Sequence, residues 1–125
     1  MRKEESALTK QVISNPPATW AVTPQKLDEA RRRIVEAVRP WKIILFGSRA
    51  RGEARPDSDA DLLVIETEVK NPAAESVRLR RLLKDLLLPV DLLVVSRAKF
   101  EYWRDTPGTV YFEANEEGRV VYEAD

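Results

Sequence analysis

The sequence contains no cysteine and no histidine among its 125 residues. The lack of cysteine excludes disulfides and thiolate nucleophiles, and the two absences together exclude every zinc site built from Cys and His. Histidine general bases are excluded as well, so a ribonuclease mechanism that needs histidine for acid–base catalysis is not available to this chain. Carboxylates must therefore carry any chemistry that the protein performs.

Long apolar runs and an excess of charge of one sign are also missing. No apolar run approaches the roughly 20 residues that a membrane span requires, and the opening segment is polar. We therefore expect a cytoplasmic protein with no membrane partner. The 21 basic residues balance the 21 acidic ones, so the net charge does not indicate nucleic-acid binding.

The length and the apolar content of 43% allow one core of ordinary size. Residues 1–22 mix charges with Pro16 and Pro17 and show no sustained period, which predicts an N-terminal extension. Trp20 is its candidate anchor. Residues 23–125 are predicted to form the single folded domain.

Apolar periodicity within that domain predicts alternating helices and short strands. In order, these are a helix, two strands, a helix and a third strand: Thr23 to Val38, Ile43 to Phe46, Asp61 to Ile65, Ser76 to Leu88 and Val90 to Val95. Two short helical stretches around Pro107 and Gly108 and a brief strand at Val120 to Tyr122 are predicted to follow. This order predicts an α+β (mixed α/β) fold, in which a small mixed β-sheet carries helices packed on one face.

Three aspartates stand at the starts of predicted strands. Asp59 and Asp61 are two residues apart, so their carboxylates should point to the same side of the strand. Asp91 begins the next apolar strand in the same way. If the two strands are neighbours, the three carboxylates converge and can hold Mg²⁺, which prefers oxygen ligands. Taken singly, each aspartate is equally explained as a strand-end or solvated residue.

The loop before Asp59 carries residues suited to phosphate. Gly47 and Ser48 follow the first strand directly, where backbone N–H groups and a hydroxyl can face phosphate oxygens. Arg49 and Arg51 are candidate nucleotide-binding residues, since guanidinium groups match phosphate geometry. An ordinary turn with solvated arginines explains each of these residues individually.

Taken together, Gly47-Ser48, ten intervening residues and Asp59-Ala-Asp61 resemble the signature of polymerase-beta-type nucleotidyltransferases. The resemblance includes the strand before Gly47, the Arg51-Gly pair and the later strand that begins with Asp91. It extends from about Thr23 to Tyr122. The length is similar to that of the minimal nucleotidyltransferases, which lack the appended substrate domains of larger relatives.

The resemblance implies both a reaction and a role for each residue of the signature. Gly47 and Ser48 would bind the β and γ phosphates, and Asp59 and Asp61 would bind two metal ions. Asp91 would complete the metal set and help to deprotonate the acceptor hydroxyl. The implied substrate is ATP, the implied transferred group is AMP, and the implied ion is Mg²⁺, with Mn²⁺ as the alternative.

Proteins that resemble this one are commonly paired with a HEPN ribonuclease toxin, to whose tyrosine they transfer AMP. The resemblance therefore implies an antitoxin with a HEPN-family partner. Two alternatives stay open: transfer to a small molecule or an RNA end, and a binding module that blocks its partner sterically without catalysis.

Two surface features are candidate partner contacts. Six of the nine aromatic residues follow Ser96, and aromatic residues are enriched at protein interfaces. They are Phe100, Tyr102, Trp103, Tyr111, Phe112 and Tyr122. The alternative is that they complete a thin core. The run Arg31 to Arg33 is a second candidate, for an acidic partner or RNA, with a solvated helix face as the alternative.

Overall fold

Within residues 20–55 and 58–125, which the computed structural model describes, four β-strands form one mixed sheet. They are β1 Lys42–Phe46, β2 Ala60–Glu66, β3 Val90–Ser96 and β4 Arg119–Glu123. Their order across the sheet is β3-β2-β1-β4. β1 is antiparallel to both β2 and β4, whereas β2 and β3 are parallel. The predicted mixed sheet is confirmed.

Four α-helices accompany the sheet in the described part of the chain, each begun by a side-chain cap. They are α1 Pro24–Val38, α2 Pro72–Leu82, α3 Arg97–Trp103 and α4 Val110–Glu117. The capping residues are Thr23, Asn71, Ser96 and Thr109, whose side chains accept hydrogen bonds from backbone N–H groups of the first turns. No helix among these residues is long and apolar enough to cross a membrane.

The second helix is displaced from its predicted span. It begins at Pro72, four residues before the predicted Ser76, because the Asn71 side chain caps it (Ala74 N to Asn71 Oδ1, 3.1 Å) and proline suits a first helical position. It ends at Leu82 and tightens into a short 3₁₀ turn, Lys84–Leu86. Leu87 then adopts a left-handed conformation with φ 51°, which stops the helical run.

The prediction that the helices pack on one face of the sheet is wrong. One core contains Ala30 and Ile34 of α1 and Leu79 of α2, packed against the even-numbered side chains of β2. A second core on the opposite face contains Phe100 of α3 and Ala114 of α4. β2 is apolar at consecutive positions because both of its faces are buried, as is typical of a strand covered by helices on each side.

The arginines of α1 form ion pairs with carboxylates of the same chain. Arg32 pairs with Glu29 and Glu36 on the same helix, and Arg33 pairs with Glu29 and with Asp85 after α2. The sequence offered a solvated helix face as the alternative for this run, and the structure adds that its arginines form ion pairs with neighbouring carboxylates.

The six late aromatic residues do not form one surface. Phe100 is fully buried, and Tyr111 and Tyr122 pack partly into the two cores. Tyr102 and Trp103 are exposed and lie edge to face, with 5.0 Å between their ring centroids. Only these two remain as exposed aromatic side chains in that part of the chain. Of the predicted extension 1–22, residues 1–19 lie outside the described residues.

A buried carboxyl pair lies at the end of β2 that is remote from Asp61. Glu66 is only 7% exposed, and its Oε2 has no hydrogen-bond partner among the described residues. The carboxyl group of Glu75 on α2 lies within hydrogen-bonding reach of the Glu66 side chain. Burial, together with the neighbouring Glu75 carboxylate, raises the pKa of Glu66 to about 8, and Arg78 opposes this shift only in part. Glu66 therefore keeps its proton to a higher pH than an exposed glutamate does.

We expect this pair to make the stability of the protein depend on pH. The folded-state pKa of Glu66 lies above its ordinary value, so the folded chain binds more protons than the unfolded chain between about pH 4.5 and pH 8. The free energy of unfolding should fall across that window, by about 2 kcal/mol or more. Glu66→Gln should abolish most of this dependence in urea unfolding measured at pH 5 and pH 9. If the wild type and the Glu66→Gln variant lost the same free energy of unfolding between pH 5 and pH 9, the pH dependence would not come from Glu66.

Candidate active site

The end of β1 and the starts of β2 and β3 meet at one edge of the sheet. Phe46, the last residue of β1, lies opposite Asp61 of β2, and Asp61 lies opposite Asp91 of β3. A hydrogen bond from the Ala60 N–H to the Pro89 carbonyl, 2.9 Å, joins the two strand starts. The strand of Asp91 therefore lies beside the strand of Asp61, which is the condition that the sequence analysis set for the carboxylates to converge.

Gly47 packs directly against the Asp61 carboxylate. It is buried and has a φ of +75°, a conformation that residues with a side chain rarely adopt. A Cβ at this position would overlap Asp61 Oδ2 and lie 3.2 Å from Asp61 Cγ. Glycine is thus required twice, for its backbone angle and for the close approach of the turn to the carboxylate. The sequence predicted Gly47 as a phosphate contact and did not show this second requirement.

The turn that follows β1 is held by its own backbone. Gly47–Arg49 form a 3₁₀ turn, and the Gly47 carbonyl accepts hydrogen bonds from the N–H groups of Ala50 and Arg51 at 3.1 and 3.2 Å. The Ser48 carbonyl accepts from the Glu53 N–H at 2.9 Å. Ser48 is therefore fixed beside Gly47 at the sheet edge, where it is half-buried.

The candidate carboxylates repel one another. Burial raises the pKa of Asp61, and the charges of Asp91, Asp59 and Glu113 raise it further, while Arg51 lowers it. No three acidic side chains among the described residues lie close enough to enclose a metal ion. The joint convergence of Asp59, Asp61 and Asp91 thus stays a prediction, although the strand register places two of them side by side.

The two candidate nucleotide-binding arginines make different contacts within the chain. Arg49 donates to the backbone carbonyl of Ser58 from Nη2 at 2.8 Å and to that of Arg55 at 3.0 Å, so it links the turn to the residue before Asp59. Arg51 forms ion pairs with Glu53 and with Glu113 of α4. Nucleotide binding by Arg49 and Arg51 stays a prediction, and contact with phosphate requires Arg51 to exchange carboxylates for phosphate oxygens.

Two acidic residues of α4 border the site and were missed from the sequence. Glu113 Oε2 lies 3.1 Å from Arg51 Nη1, and Glu117 Oε1 lies 3.6 Å from the same atom. Their spacing of four residues on a helix puts both side chains on one face. That spacing was visible in the sequence, but nothing local indicated that α4 packs beside the turn after β1.

The chain matches the family model described as "Nucleotidyltransferase domain" over residues 27–121, which is most of its length. The chain belongs to this nucleotidyltransferase family, in the DNA polymerase beta-like superfamily. Nucleotidyltransferase domains generally use nucleoside triphosphates and divalent metal ions. The match includes every candidate site residue from Gly47 to Asp91, so family membership and the observed sheet edge concern the same part of the molecule.

One solved structure that is similar to this chain is that of a Sulfolobus solfataricus protein to which a nucleotidyltransferase function is attributed. It is 17% identical to this nucleotidyltransferase, the alignment covers 82% of this chain and 90% of that one, and the TM-score is 0.46. A similarity of this size adds nothing to the argument about the site. No curated protein sequence matches the chain.

Proposed function

We propose that the protein transfers AMP from ATP to a tyrosine hydroxyl of a HEPN-family ribonuclease toxin, and that it acts as the antitoxin of that partner. The observation that supports transfer best is the position of Asp61. It lies between Gly47, which approaches it closely, and Asp91, which is its register neighbour on β3. The turn that we propose to bind phosphate follows β1 at the same edge of the sheet as these two aspartates.

The donor set fits divalent metal ions. Asp59, Asp61 and Asp91 offer only carboxylate oxygens, which Mg²⁺ and Mn²⁺ accept as ligands. Burial and then the charges of Asp91 and Asp59 raise the pKa of Asp61, and a bound cation would favour its ionised form. These three residues would hold the ions, which neutralise the negative charge that develops on the phosphates. Mg²⁺ is our proposed ion because its usual protein ligands are one or two carboxylates together with substrate phosphates.

The side chains of this edge can divide the reaction between them. The Ser48 hydroxyl and the N–H groups of its turn hold the β and γ phosphates, and Arg51 pairs with them. The acceptor oxygen forms a bond to the α phosphorus, the bond from that phosphorus to the bridging oxygen breaks, and pyrophosphate leaves. Asp91, whose side chain is 71% exposed, takes the acceptor proton. Since the chain has no histidine, a carboxylate is the base that the site provides.

A co-expression experiment separates transfer from simple binding. With a HEPN-type toxin, the wild-type chain should restore growth, and the double variant Asp59→Asn with Asp61→Asn should fail to do so while still forming the complex. A matched double variant, Glu68→Gln with Glu123→Gln, removes the same charge at exposed positions near the opposite end of the sheet and should restore growth. If the Asp59/Asp61 double variant still restored growth in the presence of the toxin, the result would show that the partner is blocked sterically.

The remaining alternative keeps the reaction and changes the acceptor. If a small molecule or an RNA end is the acceptor, the wild-type chain should hydrolyse or transfer nucleotide without any effect on the toxin. Transfer assays with aminoglycosides and with RNA, run beside the growth experiment, distinguish this case.

A further inference from the structure

A cavity of about 470 Å³ opens directly beside Asp59, on the side of the sheet edge that faces α2. Its walls are largely apolar and include Val77 of α2 and Leu88, which precedes β3. Trp20 also lines it. Trp20 is 55% exposed and Val77 is 46% exposed, so the apolar part of the cavity is accessible from solvent.

Basic side chains line the same cavity. Arg80 and Arg81, at the end of α2, and Lys84, in the turn that follows, contribute three positive charges. Within the described residues, Asp59 is the only acidic residue on the lining. Arg80 Nη2 also lies 3.9 Å from Asp91 Oδ1, and both side chains are more than half exposed. The positively charged lining is therefore continuous with the candidate active site.

We propose that this acceptor cavity, lined by Trp20, Val77, Arg80, Arg81, Lys84 and Leu88, binds an acidic protein segment that inserts a tyrosine side chain. This inference rests on the proposed function and deepens it, since it places the acceptor on the molecule. A tyrosine has an apolar ring and a polar end. The apolar walls accept the ring, and the hydroxyl reaches past Asp59 toward Asp91, which lies beside Arg80 of the lining. Acidic residues on either side of the tyrosine pair with the basic side chains.

The charge of the chain and of the cavity lining argues against two other occupants, a nucleic acid and the chain's own N-terminal segment. A nucleic acid would be drawn by a general excess of positive charge, whereas this chain has equal numbers of basic and acidic residues. The chain's own residues 1–19 contain Arg2, Lys3 and Lys10 against Glu4 and Glu5. That segment therefore has more basic than acidic residues and does not complement the basic lining.

The test is a nuclear magnetic resonance titration of the isotopically labelled full-length chain. The probe is a short peptide with a central tyrosine between acidic residues. We expect shifts at the Trp20 indole and at the amides of Val77 and Leu88. The variant Arg81→Glu with Lys84→Glu should bind the peptide about tenfold more weakly. The matched variant Arg97→Glu with Lys99→Glu, beyond the far end of β3, should bind it like the wild type.

Several results would overturn the proposal for the acceptor cavity. Equal binding of a peptide with lysines in place of the acidic residues would show that charge does not select the ligand, and tighter binding of oligoadenylate at the same residues would indicate a nucleic acid. Shifts confined to Tyr102 and Trp103 would place the peptide elsewhere, and nuclear Overhauser contacts between residues 1–19 and Val77 in the free chain would show that the chain's own N-terminal segment occupies the cavity. The absence of any peptide shift would also overturn the proposal.

A second titration with ATP and Mg²⁺ keeps this failure distinct from a failure of the proposed function. Shifts at Gly47, Ser48 and Asp61 without a response to the peptide would leave the transfer reaction standing and remove the cavity as its acceptor site. Peptide binding at the cavity without any response to ATP and Mg²⁺ would leave the cavity standing and count against transfer.

Discussion

Asp61→Asn should lower the rate of nucleotide transfer by about a thousandfold or more, because loss of a metal-binding carboxylate removes several kcal/mol of transition-state stabilisation. The same change should raise the free energy of unfolding at pH 7 when divalent cations are absent. Burial and the charges of Asp91 and Asp59 raise the pKa of Asp61, so its ionised form is disfavoured in the folded chain. A neutral amide removes that penalty.

These opposite changes in activity and stability are measured by pairing single-turnover transfer assays with thermal unfolding. Mg²⁺ should raise the melting temperature of the wild-type chain and have little effect on the variant, because the variant lacks a central ligand. Asp105→Asn, which removes one exposed acidic charge in the loop after α3, is the control for both measurements. A variant that loses stability and still responds to Mg²⁺ would show that Asp61 is structural.

Gly47→Ala should lower transfer about a hundredfold, because a displaced reacting group costs roughly that much even when it moves by only about 1 Å. The new Cβ would overlap Asp61 Oδ2, so either the carboxylate or the turn must move. The φ of +75° adds a backbone cost of about 1 kcal/mol. We therefore expect both a lower melting temperature and weaker Mg²⁺ binding.

Gly52→Ala separates the two causes. Gly52 has the same φ of +75°, but a Cβ there would meet no atom within 4 Å. It should lose about the same backbone stability and keep its response to Mg²⁺. If both variants lose activity equally, backbone strain in the loop would explain the effect, and the close packing of Gly47 on Asp61 would not.

Local sequence signals located the main parts of this fold. The strands that end at Phe46 and begin near Asp61 and Asp91 were predicted from short apolar runs, since a run of this length bounded by glycine, aspartate or proline is typical of a buried strand. The sequence left open whether the strands of Asp61 and Asp91 are neighbours, and their register shows that they are. The spacing from Gly47 to Asp59 supplied the family resemblance.

Contacts between distant parts of the chain could not be predicted in this way. The helices after β3 are short, so their apolar residues, Phe100 and Ala114, did not indicate that they cover the second face of the sheet. For the same reason, the sequence did not predict that Glu113 lies beside Arg51 or that Glu66 and Glu75 pair at the far end of β2. Each of these depends on how elements pack, which hydrophobic periodicity alone does not determine.

The joint convergence of Asp59, Asp61 and Asp91 is the part of the site that stays a prediction. The strand register makes Asp61 and Asp91 neighbours, and no three acidic side chains of the described residues form a closed group. Equilibrium dialysis with Mn²⁺ on the wild-type chain and on Asp91→Asn would measure how much Asp91 contributes when a cation is present.

The measurement that tests the central claim most directly is transfer of the radiolabelled α-phosphate of ATP, with Mg²⁺, to a co-purified HEPN-type partner. The wild-type chain should label the partner, and the label should vanish in the Asp59→Asn and Asp61→Asn double variant. An unlabelled partner in a stable complex with the wild-type chain would contradict the claim.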